Sequence, residues 1–210
     1  MGGIVLGKSN TPEFGAGGNT FNDVFGATLN PWNLTKSVAG SSGGSAAALA
    51  SGTAWLAHGS DLGGSLRNPA SFCGVVGLRP TPGRVSTGPK VLPFQNLGVQ
   101  GPMARNVADT ALFFDAMTGS TSAEPLSLTS PEGSFLAASQ TRKKPRKVAF
   151  SSSLGFMPVD KEVRNICSKA ALNFEKQGII VEEAHPGLEN VSKTFWTLRS
   201  NLFATTMGDM

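Results

Sequence analysis

Two serines stand in glycine-lined settings twenty-four positions apart, Ser41 in "SVAGSSGGSAAALASG" and Ser65 in "SDLGGSLRNPASFCG". Successive glycines let several backbone N–H groups turn into one concavity, because no Cβ obstructs a close approach. In "DLGGSLR" the N–H groups of Leu62, Gly63, Gly64 and Ser65 are therefore candidates for an oxyanion cradle, with the Ser65 hydroxyl directly beside them. One such donor is worth roughly 10²–10³ in rate. Either unit alone reads as a plain glycine turn; the pair, at this spacing, reads as an acyl-transfer site.

The usual partner of a reactive serine is scarce. His58 and His185 are the only histidines. His58, near the end of an apolar segment, reads as a satisfied structural histidine, and His185, before Pro186, as a solvated one. A Ser–His–Asp triad stays open, since its members come from anywhere in a chain. Gly2-x4-Gly7-Lys8-Ser9 matches a phosphate-loop pattern letter for letter. Its intervening residues, Gly3 to Leu6, read as a strand rather than as the loop after one, so phosphate binding is set aside. Two cysteines and two histidines without ligand spacing predict no metal site.

Several elements must position these serines. "GIVLG" (Gly3 to Gly7) reads as a short buried strand, and Ser9 to Gly40 as a long, ordered, irregular stretch. Alanines predict a helix from Ser45 to about Leu56, followed by a glycine-rich turn from Gly59 to Ser65. Phe72 to Leu78 is a further apolar unit before the turn chemistry of "RPTPGRVS". In "NVADTALFFDAMTG", Asn106 is an N-cap, Asp109 is at N3 and Gly119 lies past the end of a helix. Ser120 to Pro145 reads as a surface connection. Then "KVAFS", "DKEVRNICSKAALNFEKQ" and "GIIVEEA" form a strand–helix–strand unit, with Asp160 as cap, Gly178 as stop and Val163, Ile166, Cys167, Ala170 and Phe174 on one helical face. The fold class is α/β, with mixed or parallel pairing. "SKTFWTLRSNLFATTMGDM" has helical periodicity, and both ends of the chain read as cut.

Over 210 residues, 40% hydrophobic content supports a real core, and the formal charge is +4. The densest basic run, "TRKKPRK", has no interleaved aromatics on which bases would stack, so no nucleic-acid partner is expected. No apolar run reaches bilayer length, and no secretory signal opens the sequence, so the expectation is a cytoplasmic protein without a membrane partner. Cys73 and Cys167 read as buried free thiols.

The stretch "AGSSGGSAAALASGTAWLAHGSDLGGSLRNPA" resembles the signature of the amidase signature family. The similarity continues through "FCGVVGLRPTPGRVS" and "GPMARNVADTALFFDAMTG", and upstream through "GGIVLGKSNTPEFG" and "NPWNL". It implies a partial amidase-like domain over 1–210, with a mixed sheet flanked by helices. Within it, 1–119 is the signature core with both serine loops, 120–146 the connection and 147–210 the βαβ-like continuation. The resemblance also implies a Ser–cis-Ser–Lys triad that needs no histidine and no cofactor. Ser65 would attack the carbonyl of a small-molecule amide, releasing ammonia or an amine and then a carboxylate. Ser41, joined to Gly40 by a cis peptide bond, would relay the proton. Leu62 to Ser65 would form the oxyanion hole, with Gly40, Ser42, Asp61 and Arg67 as loop support.

Two departures stand out. The family's first glycine is Ala39 here, a change tolerated if its φ is not positive. The family's lysine lies several dozen residues before the first serine, whereas Lys8 is thirty-three residues before Ser41 and matches another position, and Lys36 is closer still. The triad lysine is therefore read as absent and the chain as inactive alone. The sequence "VLPFQNLGVQGPMARNVADTALFFDAM" resembles free-standing amidases. The alternatives are the A-type subunit of a tRNA-dependent amidotransferase and a non-catalytic binding module. A homo-oligomer is compatible with all three.

Overall fold

The computed structural model describes residues 3–141 and 143–208, so Gly2 of the phosphate-loop pattern and Arg142 of the basic run lie outside the described residues. The chain divides into two compact units, Met1–Thr141 and Arg142–Met210.

In the first unit, residues 9–40 are less irregular than their composition suggests. Two small antiparallel ribbons form, β1 (Phe21–Asn22) with β2 (Gly26–Ala27) and β3 (Leu29–Asn30) with β4 (Asn33–Ser37). Asparagine side chains shape their turns: Asn22 Oδ1 accepts from Val24 and Phe25 N–H, and Asn30 Oδ1 accepts from Trp32 N–H at 3.0 Å. Helix α1 (Gly43–Ala50) follows, then β5 (Leu56–Asp61), α2 (Arg67–Cys73), β6 (Val76–Gly77), β7 (Val99–Ala104), α3 (Val107–Met117) and α4 (Phe135–Gln140). The three strands form an antiparallel sheet in the order β5-β7-β6, with Asp61 opposite Val99 and Ala57 opposite Met103. Val38, Ala46, Leu49, Leu66, Ala70, Cys73 and Met103 make one buried cluster, so the core joins both serine-bearing loops through their own helices.

Several expectations need correction. Gly3 to Gly7 is no buried strand: it has no regular structure, and Ile4, Val5 and Leu6 are exposed, with no ladder partner among the described residues. Helix α1 starts two residues early and stops at Ala50, because Gly52 takes a left-handed φ of 77°. Gly59 to Asp61 belong to a strand rather than a turn. Phe72 and Cys73 close α2, whose C-cap Gly74 is left-handed. Asn106 caps α3 by accepting the Asp109 N–H at 2.8 Å, as its sequence predicts. The stretch after Gly119 is more than a surface connection. It contains α4, whose Phe135 packs on Phe114 with ring centroids 4.4 Å apart, and Glu124, which is buried.

In the second unit, β8 (Lys147–Phe150) and β9 (Ile180–Glu183) pair in parallel across α5 (Lys161–Leu172), with Lys147 opposite Ile180. Asp160 caps α5 as read from sequence, but the helix stops at Leu172 rather than at Gly178; the left-handed Gly178 instead ends a separate 3-10 turn, Glu175–Gln177. The apolar face of α5 is not buried, however: Val163 and Ile166 are half exposed and Cys167 is exposed. The last helix is α6 (Val191–Met207). Among the described residues, no helix is long and apolar enough to cross a membrane.

Candidate active site

The first serine loop runs from Val38 to Ser42 and is buried throughout. Its Gly40–Ser41 peptide is cis, as the resemblance implies. Ala39 has φ 60°, the condition under which replacing glycine is not neutral, because L residues pay roughly 1–2 kcal/mol in the left-handed region. Thr20, 2% exposed, holds the loop from behind. Its hydroxyl donates to the Ala39 carbonyl at 2.9 Å and accepts from the Gly43 N–H at 3.1 Å. Gly43 has no room for a side chain, since a Cβ there would collide with Thr20 Oγ1 and Val38. Ser42 ties this loop to the second. Its Oγ accepts from the Ser60 N–H at 3.1 Å and its own N–H donates to the Ser65 carbonyl at 3.3 Å. A side chain at Gly59 would sit 2.8 Å from that Oγ and 2.6 Å from Leu66, so glycine lets the strand approach.

The second loop leaves β5 at Asp61 and enters α2 at Arg67. Asp61 is fully buried and organises the turn. Its Oδ1 accepts from the Gly64 N–H at 2.8 Å and its Oδ2 from the Leu66 N–H at 3.2 Å. Arg67 grips the carboxylate in a bidentate fork, Nε to Oδ2 at 3.0 Å and Nη2 to Oδ1 at 3.1 Å. Arg79 adds a third cationic contact, Nη1 to Oδ1 at 2.9 Å, and also donates to the Asp61 main-chain carbonyl. Burial pushes the Asp61 carboxyl up, but Arg67 and the Gly64 and Leu66 N–H groups outweigh it and hold the carboxyl below the usual range.

The structure thus brings Ser41, Ser42, Asp61, Gly64, Ser65 and Arg67 into two loops joined by hydrogen bonds. One detail differs from the four-donor cradle read in "DLGGS". The Gly64 N–H is already given to Asp61, which leaves those of Leu62, Gly63 and Ser65 without partners among the described residues. Ser41 is 3% exposed and Ser65 half-buried. The His58 ring makes no hydrogen bond among the described residues, so it is not the satisfied histidine expected; although the residue as a whole is exposed, partial burial of the ring lowers its pKa. None of this unit's lysines hydrogen-bonds to either serine: Lys8 and Lys36 are exposed, and Lys90 pairs with Glu124 at 2.6 Å.

Sequence reasoning missed three positioning groups. Thr20 lies nineteen residues from the carbonyl it holds, and Arg79 eighteen from Asp61, so nothing local announces either pairing. Glu124, 3% exposed, accepts from Ser86 Oγ, the Thr87 N–H and Lys90, pinning the loop after Arg84. An apolar groove of about 360 Å³ lies between β6, α3 and Phe135 of α4, and none of the candidate site residues lines it.

The family model described as Amidase matches residues 1–205. An acylamidase of Rhodococcus erythropolis is 45% identical over 196 residues, covering 93% of this chain and 41% of that protein. The glutamyl-tRNA(Gln) amidotransferase A chain of Marinomonas sp. is 40% identical over 182 residues, covering 87% and 37%. Among solved structures, a bacterial aryl acylamidase of the amidase signature family superposes with a TM-score of 0.86 at 30% identity, over 95% of this chain and 42% of that one. The chain spans about two-fifths of the length of these relatives. With its mixed α/β fold and this match along almost all its residues, the chain belongs to the amidase signature family of hydrolases.

Proposed function

We propose that Ser65 is the nucleophile of an amidase and Ser41 its proton relay. Ser65 Oγ bonds to the amide carbonyl carbon, and the resulting oxyanion is held by the N–H groups of Leu62, Gly63 and Ser65. Collapse breaks the C–N bond, the amine or ammonia leaves with a proton passed through Ser41, and water then cleaves the ester to a carboxylate. The observation that carries this reading is the joining of the two loops, Ser42 N–H to Ser65 carbonyl, beside three N–H donors that have no partner among the described residues. The parent activity is that of a free-standing amidase on small-molecule amides, with no cofactor, in the cytoplasm, and compatible with a homo-oligomer. The expectation for this chain alone is no amide turnover, and what supports it is that none of Lys8, Lys36 and Lys90 hydrogen-bonds to either serine.

The test is hydrolysis of p-nitroacetanilide by the 210-residue chain and by Ser65→Ala. No turnover above the variant is expected. Turnover that disappears in Ser65→Ala would keep the nucleophile but refute the inactivity, and turnover that survives would remove Ser65 from the reaction. The relatives named as amidotransferase A chains favour a second reading, ammonia supply to a charged tRNA. Glutaminase activity of the parent protein that depends on partner proteins would support it over the first.

A further inference from the structure

The proposed reaction leaves Arg79 unused, yet this residue touches the turn that carries the oxyanion donors. Its side chain is 23% exposed, against 54% for Arg67, so Arg79 is the more shielded of the two cations on Asp61. It meets three acceptors at once. Nη1 donates to Asp61 Oδ1 at 2.9 Å and to the Asp61 main-chain carbonyl, while Nη2 donates to the Leu97 carbonyl at 2.9 Å.

The main-chain contact has a specific geometric consequence. The Asp61 carbonyl and the Leu62 N–H belong to one peptide unit, and the Gly40–Ser41 bond is the only cis bond among the described residues. In a planar trans peptide the C=O and N–H point in opposite directions, so fixing one aims the other. Through the carboxylate, Arg79 also holds the atom that accepts the Gly64 N–H, and so sets the far side of the same turn. A planar fork reaches these separated acceptors together; a lysine ammonium is a compact point charge on a flexible stem.

The geometry points to Arg79 as a positioning residue that aims the Leu62 N–H at the oxyanion and locks the turn to the segment at Leu97. This rests on the acyl-transfer reading, in which Leu62 N–H is a donor. The residue touches no reacting atom and acts through Asp61.

The test compares the full chain with Arg79→Met and Arg79→Lys, at a temperature where tryptophan fluorescence shows all three fully folded. The substrate is p-nitrophenyl acetate, whose phenolate leaves without needing a proton. Ser65 Oγ takes the acetyl group, p-nitrophenolate departs, and the serine proton passes through Ser41 to buffer. The acylation rate and the substrate dissociation constant are measured separately by mass of the Ser65 peptide. Arg79→Met should slow acylation about tenfold or more, short of the roughly 10²–10³ lost with a whole donor, at unchanged dissociation constant. Arg79→Lys should recover part of the rate. A wild-type rate in Arg79→Met overturns the proposal, as does a loss confined to the dissociation constant. Amide exchange at Gly64 and Leu66, both held by Asp61, is read in parallel and should speed up in Arg79→Met. If the wild-type chain is not acylated at all, the acyl-transfer reading fails instead. The exchange then decides alone whether Arg79 holds the turn: unchanged protection overturns it, and faster exchange upholds it.

Discussion

Replacing Asp61 by asparagine removes one charge and almost no volume, and the structure says what it should cost. The carboxylate accepts five hydrogen bonds, three at Oδ1 and two at Oδ2. An amide has one acceptor oxygen. With that oxygen in place of Oδ1, the NH2 group faces the Leu66 N–H and Arg67 Nε–H, both donors; turned over, it faces three donors. Leu66 is fully buried, so its orphaned N–H costs about 1–3 kcal/mol. Removing one partner of a buried ion pair costs about 3–5 kcal/mol, but Arg67 is half exposed and rehydrates, which lowers the electrostatic part. The expected loss for Asp61→Asn is about 2–4 kcal/mol. Urea unfolding followed by tryptophan fluorescence measures it, in a Trp196→Phe background so that the signal comes from Trp32 and Trp55 in the first unit. Trp32 donates its indole N–H to the Cys73 carbonyl at the end of α2 and so reports on the helix that follows the turn. A change below about 0.5 kcal/mol at constant m-value would mean that the buried carboxylate does not organise the loop.

Ala39→Gly should leave stability unchanged or raise it by up to about 1 kcal/mol, because relief of the left-handed backbone outweighs the added freedom of glycine. Gly43→Ala, four residues on, should lose about 1–3 kcal/mol by overpacking against Thr20 and Val38; equal effects of the two changes in the same urea assay would contradict this. Asp61 and Glu124 both have carboxyls held below the usual range, in each case with burial pushing up and hydrogen-bonded cations and N–H groups pushing down more strongly. Their stabilisation is therefore complete above the unfolded pKa of about 4 and is lost as pH falls through the lower folded values. Urea midpoints should fall below about pH 4, less steeply in Asp61→Asn, and parallel profiles for the two proteins would count against it.

What the sequence disclosed and what it hid follow from how local each feature is. The caps at Asn106 and Asp160 and the β8–α5–β9 unit rest on neighbours within a few residues, and all appear as read, whereas the helix read as running to Gly178 ends at Leu172. Strand β7 escaped notice because Gly101 and Pro102 look like a break. In the sheet, Gly101 makes room for the Leu78 carbonyl and for Leu66, and the Pro102 carbonyl is paired with the Leu78 N–H at 3.1 Å. The two serine loops were legible as loops, while their joining through Ser42, and the hold of Thr20 and Arg79 on them, come from contacts across eighteen residues or more. The commitment of the Gly64 N–H to Asp61 was hidden for another reason. A run of glycines shows that N–H groups are approachable but not which of them the fold has already used.

The central claim is that Ser65 takes the acyl group. Incubating the 210-residue chain with p-nitrophenyl acetate and mapping the adduct by peptide mass spectrometry tests it most directly, with Ser65→Ala and Ser41→Ala alongside. The expected result is one acetyl group on Ser65, none in Ser65→Ala, and slower acylation at the same residue in Ser41→Ala. An acetyl group that settles on Ser41 or Ser42, or that persists in Ser65→Ala, would contradict it.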